Sequence, residues 1–208
     1  MIYLLYWRSF NVPPSGPLPR DVFMRDIMGV FAEPKGNVIY NFRRTYRLLQ
    51  KKSNDVFGQP FFKPLTDRDE HIEVWLRLPI FDTSREFDDI ILGLAKLTNG
   101  SLNVDLLESL TGKKINQEVG IGGSIDLLAV YMDCIPIANE TKENILLGFH
   151  MVKDLRSSGA AHRSGRKFLK KIKQYKLEGM TITKAIEKVM IQLTQSFRLL
   201  IGVLDSFI

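Results

Sequence analysis

The chain has 208 residues, with 29 Lys and Arg against 23 Asp and Glu and a formal net charge of +6. That length fits one domain, or a small domain with an extension. A hydrophobic share of 45% excludes a disordered chain, and the single Cys134 excludes an internal disulfide framework.

The basic balance favours an anionic partner such as nucleic acid. Met1 to Arg8 is apolar but lacks a basic leader and a small-residue cleavage site, so it does not read as a signal peptide. The greasiest segment, 199–208, is interrupted by Gly202 and Asp205, and no membrane span is expected. These features point to a cytoplasmic protein, with Cys134 as a small buried hydrophobe.

In chain order, Tyr3 to Phe10 has strand composition, and Asn11 to Arg20 carries four prolines, as an extended connector would. Val22–Phe31 and Val38–Phe42, joined across Glu33 to Asn37, read as a hairpin. Asn41 to Lys52 continues as a short strand or helix. It gathers Arg43, Arg44, Arg47, Lys51 and Lys52, which a solvated face explains best. His71 to Leu78 alternates, with Ile72, Val74, Leu76 and Leu78 on one side, which predicts a half-buried strand. His71 itself reads as a surface or capping residue. Met1 falls almost inside a strand-like segment, which fits the rear part of a longer chain.

The character changes at Pro79. Thr83 or Ser84 caps a helix carrying Phe87, Ile90, Ile91, Leu94 and Thr98, ending near Asn99-Gly100. A short helix spans Asn103 to Leu110, closed by Gly112. Gly120 to Gly123 reads as a connector, since no Lys follows at phosphate-loop spacing. Ser124 caps a third helix to about Ile135. A fourth runs from Thr141 to about Arg156 on Ile145, Phe149, Val152 and Leu155. Arg166 to Lys176 is a basic amphipathic helix with Phe168, Leu169, Ile172 and Tyr175 inward, ended by Gly179. Thr181 or Thr183 caps the longest helix, to about Phe207. The fold expected is therefore α+β: a small β-containing region over 1–80, then an all-helical bundle over 81–208.

Potential chemistry concentrates between the fourth and fifth helices, in Leu155-Arg156-Ser157-Ser158-Gly159-Ala160-Ala161-His162-Arg163. On one straight helix Arg156 and His162 would point about 240° apart. A break at Gly159 lets them converge. Basic residues follow at Arg163, Arg166, Lys167, Lys170, Lys171, Lys173 and Lys176, with no acidic residue before Glu178. Such a surface attracts phosphates in a salt-dependent way. His71, His150, His162 and Cys134 lack metal-ligand spacing, so neither a metal nor another cofactor is expected.

An Arg, five intervening residues and a His at a helix junction in a small bundle resembles the HEPN superfamily, across roughly 82–208. Glu86-Phe87-Asp88, Ser101-Leu102-Asn103 and Leu155 to Arg163 also resemble uncharacterised bacterial proteins in which such a bundle follows a β-rich front half. The superfamily resemblance implies a metal-independent endoribonuclease of toxin or defence type. His162 would be the acid/base, and Arg156 would stabilise the phosphate. Arg163, Arg166, Lys167, Lys170, Lys171 and Lys173 would bind RNA. The resemblance also implies a homodimer through the bundle, supplying a second His162; a protein partner for the front region belongs to the alternative reading. Ser157 stands where active members often carry Asn, Asp or His directly after the Arg. The alternative is a non-catalytic HEPN-like binding or dimerisation module. In it Arg156 caps its helix or pairs with Asp154, His162 bonds a backbone carbonyl, and the small residues serve close helix approach.

Overall fold

Phe42, Tyr46, Leu49 and Ser53 recur at spacings of four, three and four, and they form the buried stripe of helix α1 (Val38–Phe57). The computed structural model describes residues 37–159 and 166–207. The remaining helices are α2 (His71–Trp75), α3 (Ser84–Leu97), α4 (Val104–Thr111), α5 (Ser124–Asp133), α6 (Asn139–Gly159), α7 (Arg166–Gln174) and α8 (Ile182–Asp205). A 3-10 turn at Gln117–Val119 leads towards α5. From Val38 onward the chain forms a structural unit of its own.

The α+β expectation is overturned: among the described residues the architecture is all-helical, without a strand. Val38–Phe42, expected as a hairpin arm, is the first turn and more of α1. Its β-branched and aromatic residues suit a strand by composition. Tertiary burial of the 3.6-residue stripe overrides that preference. His71–Trp75 is likewise a short helix, although its residues alternate. Val74, which alternation places with Ile72 on the buried side, is 64% exposed. The other expected strands, Tyr3 to Phe10 and Val22 to Phe31, lie outside the described residues. Among the described residues, strand-type pairing is limited to isolated bridges, Phe62 with Leu102 and Asn116 with Ile121.

Helix α8 is the centre of the bundle, packing against α1, α6 and α3. It buries Ile186, Val189, Leu193, Phe197, Leu200 and Leu204 at three-and-four spacing, while Ile182, which falls on the same stripe, is only partly buried. Phe197 stands in an aromatic cluster that ties three elements together. Its ring centroid lies 5.6 Å from Phe42 of α1, 5.6 Å from Phe62 of the following loop and 6.0 Å from Phe149 of α6. Each fully buried aromatic contributes roughly 2–3 kcal/mol of transfer free energy.

Gly148 sets the approach of α6 to α8. A Cβ placed there would lie 2.6 Å from Ser196 Oγ and 3.1 Å from Leu193 Cα, so only hydrogen fits. Ser196 Oγ in turn donates to Asn144 O at 3.1 Å across the same crossing.

The connections are fixed by side-chain amides. Gln50 clamps the backbone of Phe62, its Nε2 donating to the carbonyl and its Oε1 accepting from the amide, both at 2.8 Å. Asn103 caps α4 by accepting from Leu106 N at 3.2 Å while its Nδ2 donates to Pro60 O at 2.9 Å. Thr83 caps α3 and Thr181 caps α8, accepting from Glu86 N and Lys184 N respectively. Gly112 closes α4 at φ 67°, a left-handed conformation that glycine adopts freely.

Two smaller expectations are corrected. Ser124 does not cap α5; Gly123 holds the cap position, and the Ser124 hydroxyl donates to Asn99 O at 3.0 Å. Cys134 is exposed, because α5 ends at Asp133 and Cys134 lies past its buried stripe. No helix among the described residues is long and apolar enough to cross a membrane.

Candidate nucleic-acid interface

The last turns of α6 follow from its sequence. Val152 and Leu155 are buried, and Gly159 is the final helical residue. At about 100° per residue, Asp154 and Arg156 flank Leu155 on opposite sides. Asp154 is the flank that faces α7. Its Oδ2 accepts from the Tyr175 hydroxyl and forms an ion pair with Lys171 Nζ, each at 2.6 Å. Arg156 lies exposed on the other flank. Among the described residues no carboxylate pairs with it, so the expected alternative of an Arg156–Asp154 pair is not what Asp154 does. Ser157 and Ser158 turn back on the helix, their hydroxyls donating to Asp154 O at 3.1 and 2.6 Å.

Helix α7 has two sides of different chemistry. Phe168 and Ile172 pack against the core, and Phe168 meets Phe87 of α3 edge-on at 6.3 Å. Arg166, Lys170 and Lys173 fall within an arc of about 60° on the opposite side, and all three are exposed, with Lys167 beside them. Leu169 was expected to face inward, yet it is 60% exposed. Its position lies about 100° round from Phe168 and carries it off the narrow buried stripe. No residue of α7 is fully buried.

The cationic helix stops sharply without a glycine at its end. Leu177 N donates to Ile172 O at 2.9 Å and Lys176 N to Lys173 O at 3.0 Å. Lys176 takes the left-handed position at φ 54°. These are the paired bonds of a Schellman ending. Gly179, expected to end the helix, instead turns the chain towards α8 at φ 68°.

The polar groups beneath this face are already engaged. Lys171, counted with the RNA-binding cations by sequence, is spent on Asp154 and on Gln174 Oε1 at 3.0 Å. Burial, then the hydrogen bond to Asp154 and its negative charge, push the Tyr175 hydroxyl well above the ordinary phenol range. The hydroxyl therefore stays protonated and keeps donating. The structure thus brings Arg166, Lys167, Lys170 and Lys173 onto one exposed helix, ties Lys171 inward, and sets Arg156 on the far flank of α6. His162 and Arg163 lie outside the described residues.

The other basic cluster, on α1, is largely committed to the fold. Arg43 donates to Val74 O and Leu76 O, Arg47 pairs with Glu73 at 2.6 Å, and Lys52 pairs with Asp205 at 2.5 Å. At the connector Gly120 to Gly123, Asp126 Oδ2 accepts from Gly122 N at 3.0 Å.

A groove of about 460 Å³ that the sequence did not signal lies between α2 and α3. Its walls include His71, Trp75 and Leu92. Trp75 is 74% exposed, and its ring meets that of His71 edge-on at 5.5 Å. The groove's cations are paired, Lys96 with Asp69 at 2.7 Å and Arg77 with Glu86 at 3.2 Å. The hydrogen bond from Arg77, aided by the Ile80 amide at 2.7 Å, holds the Glu86 carboxyl below its usual range.

No protein-family model, curated protein or solved structure matches the chain.

Proposed function

We propose that the chain is an RNA-acting protein that engages the phosphate backbone through the exposed side of α7. The observation that carries this reading is the outward stripe Arg166, Lys170 and Lys173, with Lys167 beside it, in a stretch that has no acidic residue from Arg156 to Leu177. A solvated face on a soluble helix ordinarily mixes both signs. One sign along a whole helix attracts a polyanion and releases its counterions.

Within this reading the resemblance to HEPN proteins supplies the catalytic proposal. Strand cleavage without a metal requires removal of the 2′-hydroxyl proton, stabilisation of the crowded phosphate and protonation of the leaving 5′-oxygen. His162 is the proposed proton carrier and Arg156 the proposed phosphate ligand. The test is cleavage of a mixed RNA pool in EDTA by wild type, His162→Ala and Arg156→Ala. Cleavage lost in both variants supports these roles. Variants that cut as well as wild type refute them.

A non-catalytic HEPN-like binding or dimerisation module is the competing reading. It is favoured by Ser157 and Ser158, whose hydroxyls are used within α6. It predicts RNA retention without turnover.

A further inference from the structure

We infer that Asp154 and Tyr175 are positioning residues for the cationic helix, with Lys171 as their tether and outside the RNA footprint. This inference rests on the reading of α7 as an RNA-binding face.

Its basis is the way α7 is held. A helix of nine residues with no fully buried side chain has little apolar area to fix its rotation. Phe168 and Ile172 supply partial burial on one side. The polar contacts supply direction: one carboxylate oxygen of Asp154 receives both Lys171 and Tyr175 at 2.6 Å. Those two donors leave α7 and its C-terminal cap four residues apart, so together they hold more than a turn of the helix. Hydrogen bonds to a charged acceptor are the stronger class. With Lys171 and Tyr175 turned towards α6, Arg166, Lys170 and Lys173 are turned outward together. Releasing the carboxylate lets α7 roll, and the three cations no longer present one stripe.

The charge count follows from the same geometry. The Lys171 charge is answered by Asp154, so the pair contributes nothing net to phosphate binding. Lys170 and Lys173 each contribute a full cation.

The test uses the full chain and a short labelled single-stranded RNA, with affinity measured by fluorescence anisotropy over a salt series. Circular dichroism confirms that each variant is folded at the assay temperature. Tyr175→Phe changes no charge; it is expected to weaken binding on the order of fivefold or more through looser docking. The double variant Asp154→Asn with Lys171→Gln removes a neutral pair. It loosens α7 as Tyr175→Phe does, and is expected to lower affinity and salt slope by the same amounts as Tyr175→Phe, because Lys171 adds no phosphate contact of its own. Lys170→Gln is expected to reduce the slope by about 0.7, one phosphate contact on a single strand. A slope that falls by about 0.7 more in the double variant than in Tyr175→Phe places Lys171 in the footprint and overturns the inference. So does a Tyr175→Phe protein that binds RNA like wild type.

Amide hydrogen exchange separates this inference from the reading beneath it. Residues 166–174 are expected to exchange about tenfold faster in Tyr175→Phe, with α8 unchanged. Unchanged exchange overturns the tether whatever the RNA result. A wild-type protein that does not bind RNA refutes the proposed function and the RNA half of this inference, while faster exchange still supports the tether.

Discussion

Replacing Gly148 by Ala tests how closely α6 and α8 are packed. The new Cβ would meet Ser196 Oγ at 2.6 Å, Leu193 Cα at 3.1 Å and Gln192 O at 3.2 Å. The serine hydroxyl can rotate away, but doing so gives up its bond to Asn144 O at a cost of about 1 kcal/mol. The other two neighbours are α8 backbone and must move with their helix. Overpacking of this kind costs about 1–3 kcal/mol, and the gain in helix propensity returns about 1 kcal/mol. The net expectation is a loss of about 2 kcal/mol, or roughly 4–8 °C in Tm for a chain of this size. Gly202 on α8 is the internal control. A Cβ there meets nothing within 4 Å, so Gly202→Ala should stabilise by about 1 kcal/mol from propensity alone. Urea unfolding followed by circular dichroism measures both. A Gly148→Ala protein as stable as wild type would refute the close crossing.

Asn103→Ala removes the α4 cap and leaves Pro60 O without the Asn103 donor, and urea unfolding should show a loss of about 2 kcal/mol; a change under about 0.5 kcal/mol contradicts the clamp. Tyr131 carries a buried hydroxyl with no partner among the described residues. Tyr131→Phe should therefore leave stability unchanged or raise it by up to about 1 kcal/mol in the same assay, and a large loss would reveal a missed bond. Burial, with Cys134 nearby, pushes Tyr131 up to about 12, and burial raises Tyr46 and Tyr175 as well. A phenol raised in the folded state stabilises fully below its unfolded pKa of about 10, and that stability is lost as pH rises through the folded value. Ultraviolet titration should show these three of the six tyrosines ionising together with loss of helical signal; complete ionisation near pH 10 with the fold intact contradicts their burial.

Much of the bundle was legible because its helices carry both a stripe and a stop. In α8 the three-and-four spacing from Ile186 to Leu204 marked the helix, while the cap stood open between Thr181 and Thr183 until the structure placed it at Thr181. In α4 the Asn103 and Gly112 pair marked both ends. Helix α1 carries the same kind of stripe, but its local composition misled. Val38 to Phe42 is β-branched and aromatic, and Arg43, Arg44 and Arg47 interrupt the apolar pattern of Phe42, Tyr46 and Leu49. The alternation at His71 to Leu78 failed for a different reason: Ile72 packs inward near Gly93 while Val74 stays exposed, and four matching positions are too few to separate period two from a single helical turn. At the candidate site, sequence marked the cationic stretch and its helical face. It could not show that Asp154 consumes Lys171, because a contact 17 residues apart depends on how two helices dock. The Trp75 groove carried no signal either, since it exists only because His71–Trp75 is helical and packs beside α3.

The most direct test of the RNA-binding account is the salt dependence of affinity for single-stranded RNA, in wild type beside a variant with Arg166, Lys170 and Lys173 all changed to Gln. The account predicts a wild-type slope of log K against log salt of at least about −2 in magnitude, close to zero contribution remaining from this stripe in the variant, and an unchanged fold. Absence of wild-type binding, or equal slopes in the two proteins, would contradict it.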